Sequence, residues 1–101
     1  MDLEKTERVN QLFDIYQDLL TDNQKELIIA YYQDDLSLSE IAENKNISRN
    51  AVSSQLKRIT ESFEEYETKL GLLDKRERIL KLLDNKVITP EIVEKIKEIL
   101  D

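Results

Sequence analysis

Residues 36–59, LSLSEIAENKNISRNAVSSQLKRI, read as a helix, a tight turn and a second helix, and the fold follows from them. Ser37 followed three residues later by Glu40 is a capping box, in which the hydroxyl accepts from a first-turn amide and the carboxylate reaches back to the cap amide. A helix therefore begins near Leu38. Ile41 and Ala42 fall on its inner face, where the short Ala42 side chain lets a second helix cross closely. Asn46 ends it, because Asn tolerates the left-handed backbone that a short turn demands. Ser48 caps the next helix, whose Val52, Leu56 and Ile59 recur at helical spacing. This is the layout of a helix-turn-helix.

The outward face of the second helix carries Arg49, Asn50, Ser53, Ser54 and Lys57. In a DNA-reading unit, the N-terminal half of that helix enters the major groove, where Arg pairs with guanine edges and Asn with adenine. The same residues also suit a face that is simply solvated, and both readings stay open. Charge bears on the choice. The chain has a formal net charge of −7, from 22 acidic and 15 basic residues, against the basic footprint usual for nucleic-acid binders. Locally the balance inverts: Lys45, Arg49, Lys57 and Arg58 lie in residues 45–59 with no acid among them. One face could approach phosphate while the remainder repels it.

At 101 residues the chain is expected to be one helical domain, residues 1–101, with the helix-turn-helix at about 36–59 and a helical extension at about 72–101. A single Gly, a single Pro and 37% charged residues argue for helices throughout. The absence of Cys and His removes disulfide scaffolds, zinc fingers, thiol nucleophiles and imidazole bases together. With Gly71 alone there is no Gly-rich phosphate loop, so neither an enzyme nor a cofactor or metal is expected. The start, MDLEKTERVN, is charged where a signal peptide is apolar, and no run approaches a membrane span, so the expected location is the cytoplasm.

Outward from the motif, Val9, Leu12, Phe13, Tyr16, Leu19 and Leu20 form one stripe on a helix from about residue 3 to 20. Thr21 with Gln24 is a second capping box and opens DNQKELIIAYY. Adjacent Tyr31 and Tyr32 point in different directions, so at least one caps the core; a base-stacking platform is the alternative, with no basic neighbour in the sequence to support it. Asp34 and Asp35 read as a solvated turn rather than a cation site. Beyond Ile59 the apolar spacing continues through Phe63, Tyr66 and Leu70, which predicts one long helix from Ser48 to Leu70 and a seam in need of cover. Cover by a second chain would make a homodimer; the N-terminal stripe and the C-terminal helices are the alternatives. Gly71 suits a left-handed C-cap with Leu72 folding back. A short helix over DKRERILKLLDN then carries a second basic cluster, Lys75, Arg76, Arg78 and Lys81. DNKVIT reads as a hinge, and Thr89–Pro90 open a last helix with an apolar side of Ile92, Val93, Ile96, Ile99 and Leu100.

The runs LLTDNQKELIIAYYQDDLSLSEIAE, SRNAVSSQLKRI and EEYETKLGLL resemble the YlxM family of small bacterial proteins associated with the signal recognition particle, over nearly everything up to Leu83. The middle portion also resembles, more distantly, the fourth region of sigma factors. Departures from the YlxM pattern fall at Ser53 and Ser54 and at the helix from Thr89, which reads as an addition to the usual end. The resemblance implies an all-α helix-turn-helix bundle, sigma region four-like, with a long recognition helix and added C-terminal helices. It also implies a regulator of the particle that meets the particle's RNA or its protein subunit. Under a nucleic-acid reading, Arg49, Asn50, Ser53, Lys57 and Arg58 make the contacts, with Lys75, Arg76 and Arg78 as auxiliary phosphate ligands. A DNA-binding regulator is the alternative, and an adaptor that uses its acidic surface on the basic protein subunit is a third reading.

Overall fold

The computed structural model describes residues 2–84 and 87–101, and every regular element among them is helical. Helix α1 (Leu3–Tyr16) starts at Asp2, whose carboxylate accepts from the amides of Glu4 and Lys5. It ends four residues earlier than the apolar stripe suggests. A tighter 3-10 turn, Gln17–Leu19, follows and rotates Leu19 out to 55% exposure, while extended Leu20 returns to the core.

Helix α2 (Asp22–Ile28) opens with the expected capping box of Thr21 and Gln24. It then widens into a π turn, Ile29–Gln33, in which the Asp34 amide reaches back to the Ile29 carbonyl. That widening places the Tyr32 carbonyl where Asn10 Nδ2 donates to it at 3.2 Å.

Helix α3 (Leu38–Lys45) carries the Ser37–Glu40 capping box and buries Ile41 and Ala42. Asn46 is left-handed at φ 55°, with its amide bonded to the Glu43 carbonyl and the Ile47 amide to the Ala42 carbonyl. These two bonds form a Schellman motif, which satisfies the carbonyls the helix would otherwise leave open and aims the chain into the next helix. Helix α4 (Arg49–Leu70) follows from the Ser48 cap.

Val52, Leu56, Ile59 and Phe63 of α4 are buried, and α1 supplies their cover. Phe13 meets Phe63 edge-on at 6.5 Å between ring centroids, and Tyr16 meets Tyr66 at 5.7 Å. Arg8 clamps Glu64 with two bonds of 3.0 Å. The seam is therefore closed within one chain down to Tyr66. Only Leu70, 48% exposed, stays open, and the need for a second copy along α4 disappears.

Gly71 takes the expected left-handed backbone at φ 61°, but α5 (Leu72–Leu83) begins at once, and Leu73 rather than Leu72 returns to the core. Gly71 has no side chain to cap this helix. Glu67 does so instead: Oε1 accepts from the Leu73 amide at 2.9 Å and from the Tyr16 hydroxyl at 2.7 Å, and Oε2 accepts from the Asp74 amide at 3.0 Å. Helix α6 (Pro90–Leu100), capped by Thr89, packs back on α5. The hinge expected at residues 84–89 includes Asn85 and Lys86, which lie outside the described residues.

Candidate nucleic-acid interface

Ser48 fixes the start of α4 by accepting from the Ala51 amide, and the inner stripe then turns residues 49, 50, 53, 54, 57 and 58 outward. All six are exposed. The chain has five arginines. Arg8, Arg76 and Arg78 are each paired with a carboxylate, on Glu64, Asp14 and Asp74 respectively. Arg49 and Arg58 have no such partner among the described residues. Lys57 lies 4.0 Å from Glu61, an exposed pair worth little against water and salt.

Nine residues, about two and a half helical turns and roughly 13 Å, separate Arg49 from Arg58, so the two guanidiniums flank α4 on opposite sides. Asn50 and Ser54 lie between the flanks, where a base edge would be read. The face changes sign one turn further on at Glu61, Glu64 and Glu65. Only the first three turns of α4 can therefore approach phosphate.

The sequence-based site divides in two. Lys75, Arg76 and Arg78 lie on α5, beyond the far end of α4, roughly 32 Å along the helix from Arg49 at 1.5 Å per residue. Arg76 is also held to Asp14 of α1 at 2.6 Å, a contact that anchors α5 on the body. Lys45, part of the local basic run, is drawn inward to Asn23 and Glu26 at 2.9 and 2.8 Å and ties α3 to α2.

Folding adds residues that the linear order did not associate. Lys5, Tyr31, Tyr32, Leu38, Ser53 and Lys57 line one groove beside the recognition flank. The tyrosine pair, edge-on at 4.9 Å, thus has two ammonium groups in its groove although none adjoins it in sequence. Tyr32 is buried, and burial pushes its hydroxyl above the ordinary range; Tyr31 is partly open. No group of three or more acidic, His or Cys side chains suited to a metal occurs among the described residues, Asp34 and Asp35 included. No helix among them is long and apolar enough to cross a membrane.

These features define a helix-turn-helix protein with a long second helix. The chain belongs to the UPF0122 family, described as "Putative helix-turn-helix protein, YlxM / p13 like", whose model matches residues 3–100. A UPF0122 protein of Listeria innocua is 53% identical over 81 residues, 80% of this chain and 74% of that relative. One from Listeria monocytogenes is 45% identical over 97% of this chain and 93% of its own length. One from Bacillus thuringiensis is 47% identical over 98% and 94%. The match through residue 100 corrects the reading of α6 as an addition to the usual family end.

Proposed function

We propose that the protein works in the signal recognition particle pathway as a small helix-turn-helix factor that holds the particle's RNA against the first three turns of α4. The carrying observation is that Arg49 and Arg58, alone among the five arginines, have no carboxylate partner among the described residues. In an acidic chain that pairs its other guanidiniums, two free ones flanking an exposed Asn50 and Ser54 are groups kept for an anionic ligand. The groove that holds the partly open Tyr31, with Lys5 and Lys57, favours RNA over duplex DNA: an aromatic face receives unpaired bases, which RNA loops and bulges supply. The pathway itself rests on the YlxM resemblance.

A DNA-binding regulator is the second reading, favoured by the exposure of the recognition positions on α4. Binding to the particle's RNA, to random duplex DNA and to the particle's protein subunit, each measured separately, discriminates among the readings. With about four phosphates neutralised, log affinity for single-stranded RNA should fall against log salt with a slope near roughly −3. Arg49→Ala and Arg58→Ala should each weaken binding and reduce the slope by about 1 where the side chain meets phosphate. Tyr31→Leu should weaken RNA and leave duplex DNA unchanged. Tight duplex binding with no RNA preference would transfer the function to DNA. Binding to the protein subunit alone, indifferent to Arg49, would make α4 a scaffold.

A further inference from the structure

The hairpin of α5 and α6 does not close its own core. A compact chain of this length has a radius of gyration near 13 Å. This one has 17.3 Å and extents of 56 × 25 × 20 Å. Helix α6 packs on α5, and α5 meets the body through Leu73, the Arg76–Asp14 pair and the Glu67 cap. Ile99 alone on α6 is buried, although Ile92, Val93, Ile96 and Leu100 share its apolar side. Leu80 is 54% exposed, Leu83 47%, Val93 40% and Leu100 63%. Two helices cannot shield both of their inner stripes, whereas four can.

Charge indicates what covers this face. Residues 72–101 hold seven basic and seven acidic side chains, so the −7 of the chain resides in residues 1–71, with eight basic and fifteen acidic. Two copies meeting through their bodies would each bring that charge, and meeting through the hairpins they bring none. Within the hairpin the helices differ in sign. Helix α5 has Lys75, Arg76, Arg78 and Lys81 against Asp74 and Glu77, a net charge of +2; α6 has Lys95 and Lys97 against Glu91, Glu94 and Glu98, a net charge of −1.

We propose that the hairpin is a dimerisation arm: two copies pair the same apolar face about a two-fold axis as a four-helix bundle, each α5 beside the α6 of the second copy. A closed two-fold pairing is self-complementary, as a face with one positive and one negative helix requires. A strongly charged partner would have no net field on this arm to steer it.

Sedimentation equilibrium of the full chain over roughly 1–100 µM, a range in which mass action reveals dimers of ordinary affinity, tests the pairing. The expected mass is twice 11.9 kDa. Leu83→Glu and Val93→Glu alter residues already exposed in the single chain, and each should raise the dissociation constant at least about tenfold. Amide exchange of the unsubstituted protein gives a second readout: amides of α5 and α6 should slow as concentration rises, and those of α3 should not. A single 11.9 kDa species throughout overturns the proposal. So does a dimer indifferent to both substitutions, an assembly that grows past the dimer, or concentration-dependent protection elsewhere than the hairpin.

Discussion

Removing the Glu67 carboxylate should loosen the junction between body and hairpin by an amount the structure lets us work out. Its two oxygens accept from the amides of Leu73 and Asp74 and from the Tyr16 hydroxyl, whose oxygen in turn accepts from the Leu72 amide at 3.3 Å, while Gly71 at the N-cap brings no side chain. Loss of a helix N-cap costs about 1 kcal/mol. Leaving the proton of the buried Tyr16 hydroxyl without an acceptor costs about 1 kcal/mol more. Glu67→Ala should therefore destabilise the protein by about 2 kcal/mol, a Tm decrease of roughly 8–16 °C for a domain of this size. Glu67→Gln keeps one acceptor oxygen and should lose about half as much.

The pH dependence separates this account from a simple packing effect. Burial alone would raise the Glu67 carboxyl, but bonds from the Leu73 amide, the Tyr16 hydroxyl and the Asp74 amide, with the Arg8 charge, hold it below the usual range. A group depressed in the folded state contributes stability that is complete above its unfolded pKa, about 4.3 for Glu. That stability is lost as pH falls through the folded value. Urea denaturation followed by far-ultraviolet circular dichroism should therefore show the gap between wild type and Glu67→Gln widest near neutral pH and closing below about pH 4. A gap under about 0.5 kcal/mol at neutral pH, or one that stays constant into acid, would refute the capping role.

Phe63→Ala removes a fully buried ring packed edge-on against Phe13 and should cost about 3–5 kcal/mol in urea denaturation, a large share of the stability of a domain this small. A loss under about 1.5 kcal/mol would mean that α1 does not carry the cover of α4. At the turn, Asn46 sits at φ 55°, so Asn46→Gly should be neutral or slightly stabilising and Asn46→Ala should cost about 1 kcal/mol. Thermal melts of the pair, ranked in the opposite order, would contradict the left-handed turn.

The motif was legible in the sequence because its signals are local. Ser37 with Glu40, Thr21 with Gln24, Ser48, Asn46, Gly71 and Thr89–Pro90 each act on amides or carbonyls within a few residues, so linear order carries their geometry, and each holds its expected place. The continuous apolar spacing likewise marked α4 as one helix. What covered that spacing was not legible. A stripe records that a face must be buried, but the α1 stripe, the C-terminal helices and a second chain are equivalent partners until long-range packing selects one; here α1 closes the seam and leaves the hairpin face open. The same holds for charge. Composition counts the basic residues, while pairing across the fold consumes Arg8, Lys45 and Arg76 and leaves Arg49 and Arg58 on α4 without a carboxylate partner among the described residues. Glu67 shows both sides of this division. Its place one turn before Gly71 was in the chain from the start, but its role as the cap of α5 exists only because left-handed Gly71 turns α5 back toward it and α1 brings in Tyr16.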